Sequence, residues 1–124
     1  MNVLRGSLQR SDSGVVVQEA QWSAPLGQAT IDPAWIGRTV AVGVRPEHLQ
    51  PAVAGDMTAF EAIIDGIEPV GNEIFVNMTS GGQALVMRVA PQALPNVGEA
   101  ISVAIQPQGL HFFDAESGER LSAA

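Results

Sequence analysis

The stretch Glu73-Ile74-Phe75-Val76-Asn77-Met78-Thr79-Ser80-Gly81-Gly82-Gln83-Ala84-Leu85-Val86-Met87-Arg88-Val89 decides the fold. Ile74, Val76 and Met78 alternate with Glu73, Asn77 and Thr79; Leu85, Met87 and Val89 then repeat the pattern. Alternation with period two is the mark of a half-buried antiparallel strand. Between the two runs stands Ser80-Gly81-Gly82-Gln83, and glycine supplies the positive φ that a tight hairpin turn demands. The segment therefore reads as a β-hairpin.

The same period recurs outward from this hairpin. Val40, Val42 and Val44 share one face of residues 39–44, with Thr39, Ala41 and Gly43 on the other. Phe60, Ala62 and Ile64 share a face in residues 58–65, and Ile101, Val103 and Ile105 in the last clear run. Val15 to Val17 form a short strand after Asp12-Ser13-Gly14. Turns follow at Pro95-Asn96-Val97-Gly98 and Asp114-Ala115-Glu116-Ser117-Gly118. One helical turn is expected where Asp32 caps, Pro33 takes the first helical position and Gly37 ends it. A second is expected from Pro46, because Arg45, preceding a proline, is biased to extended geometry. Short strands at close spacing imply an all-β antiparallel barrel or sandwich. A loop expected at residues 52–56 divides a single domain, residues 1–124, into two intertwined sub-barrels, about 1–51 and 57–121.

Composition excludes several functions. The chain has 124 residues, enough to bury roughly two-thirds of its unfolded surface without staples. It has no cysteine, hence neither disulfide nor thiolate chemistry. Six arginines and no lysine oppose thirteen acidic residues, a formal charge of −7. That balance argues against nucleic acid and against an anionic lipid surface as partner. Without lysine there is no GxxxxGK[ST] phosphate loop and no Schiff base. Neither a nucleophile elbow nor a dinucleotide fingerprint occurs. His48 and His111 lack metal-ligand spacing and read as packing or surface histidines, each within reach of a carboxylate such as Glu47 or Asp114. Glu61, Asp65, Glu68 and Glu73 read as the solvated face of a sheet rather than as an acid/base pair. No catalytic, cofactor or metal residue is assigned.

Five motifs, in order along nearly the whole chain, carry a family resemblance. Met1-Asn2-Val3-Leu4-Arg5-Gly6 is similar to "MNxLxG", and Gly43-Val44-Arg45-Pro46-Glu47-His48-Leu49 to "GxRPEHL". Ile67-Glu68-Pro69-Val70-Gly71-Asn72-Glu73 resembles "xEPLGxE", with Val70 where leucine is common. Residues 95–103 resemble "PxxGExVxL". Phe113-Asp114-Ala115-Glu116-Ser117-Gly118-Glu119-Arg120-Leu121 resembles "FDxxTGxRL", with Ser117 where threonine is common. Together they resemble the C-terminal regulatory domain of maltose-type ABC import ATPase subunits.

The resemblance implies an OB-like barrel of the MOP/TOBE type with one or two short helical turns. It implies a regulatory and dimerisation role in ATP-driven uptake of a carbohydrate or glycerol phosphate, without ATP hydrolysis by this part. ATP and Mg would belong to an ATPase core upstream, making Met1 an internal residue of a longer chain. The implied partners are that core, a second copy of the subunit, the membrane subunits indirectly, and a regulatory protein or small effector, but no nucleic acid. The implied place is the cytoplasmic face of the inner membrane, reached through the complex. The alternative reading is a stand-alone binder of a small oxyanion or other effector on the molybdate-type fold.

Candidate interface or regulatory residues are Arg45, Pro46, Glu47, His48, Gly71 and Asp114. Arg45 and Glu47 are expected either as a fork at a partner interface or as an internal pair bracing the turn, with Pro46 fixing it. Gly71 is expected at a bend with positive φ, and Asp114 at a turn. Trp22 and Trp35 are expected in packing rather than as exposed contact residues.

Overall fold

A computed structural model of the chain describes residues 1–12, 14–20, 22–53, 59–107 and 110–121. Among these, eleven strands form two antiparallel sheets. The first sheet has the order β11-β10-β4-β1-β2-β3, and the second β5-β9-β6-β7-β8. In chain order they are β1 (Asn2–Ser11), β2 (Gly14–Glu19), β3 (Trp22–Pro25), β4 (Thr39–Val44), β5 (Leu49–Pro51), β6 (Ala59–Val70), β7 (Glu73–Ser80), β8 (Gln83–Val89), β9 (Ala100–Ile105), β10 (His111–Asp114) and β11 (Arg120–Leu121). The last two strands return to the first sheet beside β4, and β5 joins the second. The expected OB-like, curled antiparallel architecture is the one observed. The loop expected at 52–56 and the strand start expected at Thr58 fall partly or wholly outside the described residues.

The alternating residues build one core. Leu4, Leu8, Val17, Val40 and Val42 enter it from the first sheet; Ile64, Val76, Met78, Leu85, Met87 and Val103 enter from the second. Each such side chain removed from water contributes about 1.5–3 kcal/mol. The hairpin expected at residues 73–89 is present: Ser80 pairs with Gln83 across Gly81 and Gly82, whose φ values are +56° and +77°. Two positive φ angles in a two-residue loop are the type I′ arrangement, whose twist matches that of the strands.

Both helical turns are present as single 3-10 turns. In Pro33–Trp35 the Asp32 side chain accepts from the Ala34 N–H at 2.9 Å, as expected of a cap. Trp35 is buried against Phe112, with ring centroids 5.5 Å apart. Pro46–His48 follows an extended Arg45, as the proline dictates.

Three elements depart from the sequence reading. β1 runs for ten residues, although no strand is read before Val15. Its inward positions are Asn2, Leu4, Gly6 and Leu8, so a polar residue and a glycine interrupt the apolar signal. β3 offers only Ala24 as a buried residue among four. Residues 40–44 of β4 are buried on both faces, not one. β4 lies between β1 and β10, and the Met1 side chain rests on Gly43, where an added Cβ would meet its Cε at 2.7 Å.

The sheets are joined by side chains as well as by the core. Asn2 on β1 accepts from the Val86 N–H at 2.7 Å and donates to the Val86 carbonyl at 2.8 Å. Gln83 on β8 reciprocates, accepting from the Arg5 N–H at 2.8 Å and donating to its carbonyl at 3.4 Å. Two primary amides thus copy the pairing of a strand and close the edge between β1 and β8. Trp22 ties β3 to the second sheet. Its indole N–H donates to Ser80 Oγ at 2.8 Å, Ser80 Oγ donates to the Glu61 carbonyl at 2.6 Å, and its ring meets Phe60 edge-on at 6.3 Å.

Candidate functional site

The Arg45-Pro46-Glu47-His48 turn carries the chain from β4 in the first sheet to β5 in the second. Pro46 sets the turn, and the His48 N–H donates to the Arg45 carbonyl at 2.9 Å. The His48 carbonyl accepts from the Gln106 N–H at 2.9 Å, fixing the turn to the end of β9. The turn is therefore a rigid corner between sheets.

Arg45 and Glu47 do not brace each other, as an internal pair would. Glu47 instead lies 3.6 Å from Arg88 Nη2 on β8, and Arg88 Nε also meets Glu73 Oε2 at 3.3 Å. The Glu47 carboxyl is held below its usual range by its own backbone N–H and then by Arg88, with His48 and Arg45 adding smaller attractions. The Arg45 side chain is exposed and makes no cap hydrogen bond. Arg88 was not singled out from sequence, because its partners sit on different elements and only the fold brings them together. His48 Nδ1 is buried with no hydrogen-bond partner among the described residues. Neither histidine meets the carboxylate suggested for it by a hydrogen bond: His111 Nδ1 accepts from Arg120 Nη2 at 3.0 Å.

Gly71 and Asp114 lie elsewhere, each at a turn. Gly71 has φ +61° and joins β6 to β7 across Val70 and Glu73. A Cβ built on it would meet nothing within 4 Å, so backbone geometry is its whole requirement. Asp114 holds the β10–β11 turn: Oδ1 accepts from the N–H groups of Glu116 at 2.9 Å and Ser117 at 3.0 Å, and Oδ2 from Arg38 at 2.5 Å. These donors, Ser117 first, lower its pKa to about 2. Of the six candidates, the fold brings four together in one corner and leaves these two apart.

Glu61, Asp65, Glu68 and Glu73 are all exposed, as the outer face of a sheet requires. Among the described residues no three His, Asp or Glu side chains converge as metal ligands would. No helix among them is long and apolar enough to cross a membrane.

Residues 42–113 match the TOBE domain family, and residues 1–49 match the MalK OB fold domain. The chain is 28% identical over 126 residues to the sn-glycerol-3-phosphate import ATP-binding protein UgpC of Yersinia enterocolitica, covering 99% of this chain and 34% of that protein. The UgpC protein of Chromobacterium violaceum is 37% identical over 99 residues, 80% of this chain and 26% of its own length. The sulfoquinovosyl glycerol transport ATP-binding protein SmoE of Agrobacterium fabrum is 37% identical over 79 residues, 64% of this chain and 22% of its own length. The chain thus spans about a third or less of the curated relatives it matches. Among solved structures, the cytoplasmic molybdate-binding protein ModG superposes with a TM-score of 0.60 at 14% identity, covering 90% of this chain and 94% of that one. At that identity the likeness shows the fold alone. The MalK-type match and the TOBE match overlap at Val42 to Leu49, which contains the Arg45–His48 corner, and together they run from residue 1 to residue 113: the chain belongs to the TOBE domain family.

Proposed function

We propose that the chain is the non-catalytic regulatory and dimerisation domain of an ABC import ATPase subunit, serving uptake of a carbohydrate or glycerol phosphate. The observation that carries this reading is the continuity of the two family matches, from residue 1 to residue 113, among relatives that are import ATP-binding proteins. The rigid corner at Arg45–His48 supports it in physical terms. A domain that reports on or steadies a neighbour needs fixed geometry between its sheets, and Glu47–Arg88–Glu73 pins the corner to β7 and β8. The exposed Arg45, free of a cap bond, is the group in that corner available to a partner. Its partners are an ATPase core in the same polypeptide, a second copy and, through them, the membrane subunits. The complex sits at the cytoplasmic face of the membrane.

Reading the gene upstream of the Met1 codon tests this directly. The expected result is one open frame running through a GxxxxGK[ST] motif. A stop codon and ribosome-binding site immediately upstream would overturn the reading. With the full subunit in hand, Arg45→Ala is expected to alter ATPase activity or subunit pairing while leaving the fold unchanged by circular dichroism.

A further inference from the structure

Strand register alone traces the outer surface of the first sheet, because directly paired residues share a face. From Arg5 the pairs lead to Ala41 on β4, Phe113 on β10 and Arg120 on β11, one row across four strands. The neighbouring positions Leu4, Val42 and Phe112 are buried in the core, so this row faces away from it. Arg5 and Arg120 are exposed, and Phe113 is half-buried between them. Arg120 is steadied by His111 on the same face. The Arg5 guanidinium has no ion pair among the described residues.

The cross-strand partners on this face include no Asp or Glu, and the nearest carboxylate is at its rim, where Glu19 lines a hollow with Arg5, Ser7 and Thr39. The outer side of the second sheet is the opposite. Glu61, Asp65, Glu68 and Glu73 are exposed there, and its Arg88 is already engaged by two carboxylates. The outward paired positions of the first sheet are thus basic or neutral, Glu19 and Asp114 of that sheet lying off this row, whereas those of the second sheet are largely acidic. Strands lie about 4.8 Å apart, which puts β1 and β11 roughly 14 Å from each other. That is too wide for one small anion to bridge. It matches two carboxylates about four residues apart in an extended segment, at about 3.4 Å per residue.

We propose that the outer face of the first sheet is a docking surface for an acidic protein segment. Arg5 and Arg120 each take a carboxylate, and the half-buried Phe113 receives the apolar residue between them. Charge complementarity selects this occupant. A single-stranded nucleic acid fits less well, since it needs stacking places for successive bases and the row has one aromatic ring. The inference stands apart from the transporter reading.

The test uses the isotopically labelled chain and the peptide acetyl-Glu-Ala-Leu-Ala-Glu-amide, with the Gln-for-Glu peptide as control. At low salt the acidic peptide is expected to shift the amide signals of Val3, Ala41 and Phe113 saturably, and the control is not. Arg5→Ala and Arg120→Ala are each expected to weaken binding at least about threefold, and raising salt to suppress it. Arg10→Ala, at the far end of β1, is expected to leave it unchanged. Equal binding of the control peptide overturns the proposal. So do shifts confined to another surface, or tighter binding at this face of a single-stranded oligonucleotide of equal charge. Should a variant fail to fold, the peptide comparison on the unaltered chain still decides.

Discussion

Asp114 has both carboxylate oxygens occupied by donors within its own hairpin and by Arg38. Its folded pKa of about 2 lies below the ordinary 3.8, so the ionised form is the one that folding favours. The contribution is present above pH about 4 and is lost as pH falls through 2. Carboxyl NMR titration is predicted to give a midpoint near 2, with amide protection of the β10–β11 hairpin falling below pH 4. In Asp114→Ala that pH dependence disappears. Asn2 poses the complementary case of a neutral group. It is buried, and its amide satisfies both backbone groups of Val86. Asn2→Ala leaves those groups without their partner and is predicted to cost about 1–3 kcal/mol in urea unfolding. Asn2→Asp is predicted to cost at least as much above pH 5, because a carboxylate cannot donate to a carbonyl. The residue scale also marks the limit of sequence reading at the candidate site. Pro46 fixes its turn through local sterics, and that was legible. The partner of Glu47 was not, since sequence neighbours such as Arg45 compete with an arginine brought in by tertiary pairing.

At the scale of elements, the β7–β8 hairpin shows two glycines under different constraints. Both have positive φ, but only Gly81 lies under the Trp22 indole, where an added Cβ would collide with ring atoms. Gly82 faces open space. Gly82→Ala is therefore predicted to cost about 1–2 kcal/mol from backbone strain alone. Gly81→Ala is predicted to cost more, and to shift Trp22 fluorescence as the ring is displaced. Equal costs with unchanged fluorescence would show that the contact is not felt. Elements were legible where local signals agree: the Gly-Gly hairpin, the Asp32-capped turn that ends in Trp35, and the apolar runs of β7, β8 and β9. They were illegible where the third dimension supplies the reason. β1 carries Asn2 at an inward position because the amide bridges to β8, and no periodicity scale rewards that residue. The second buried face of β4 is made by β10 and Met1, both distant from it in sequence.

For the molecule as a whole, the two sheets are coupled by the core, by the amide pair and by Trp22. Trp22→Phe keeps most of the apolar surface but removes the donor to Ser80, which is itself buried. A loss of about 1–2 kcal/mol is predicted, with both sheets still melting in one transition. Separate transitions for the Trp35 environment in the first sheet and the β6–β9 amides would show that the coupling is weaker than the geometry implies. Pairings that link distant parts of the chain make folding slow, and refolding on the millisecond-to-second scale is predicted by stopped-flow fluorescence. The return of β10 to the first sheet has one more consequence, and it concerns time. Val42 pairs with Phe112, so one edge of β4 stays bare until the stretch from Val42 through Phe112 has left the ribosome. At about 5–20 residues per second that interval is on the order of ten seconds. During synthesis, β4 is therefore a valine-rich open edge that waits for β10 to cover it, and a nascent chain halted before Phe112 would expose it to any neighbour able to pair.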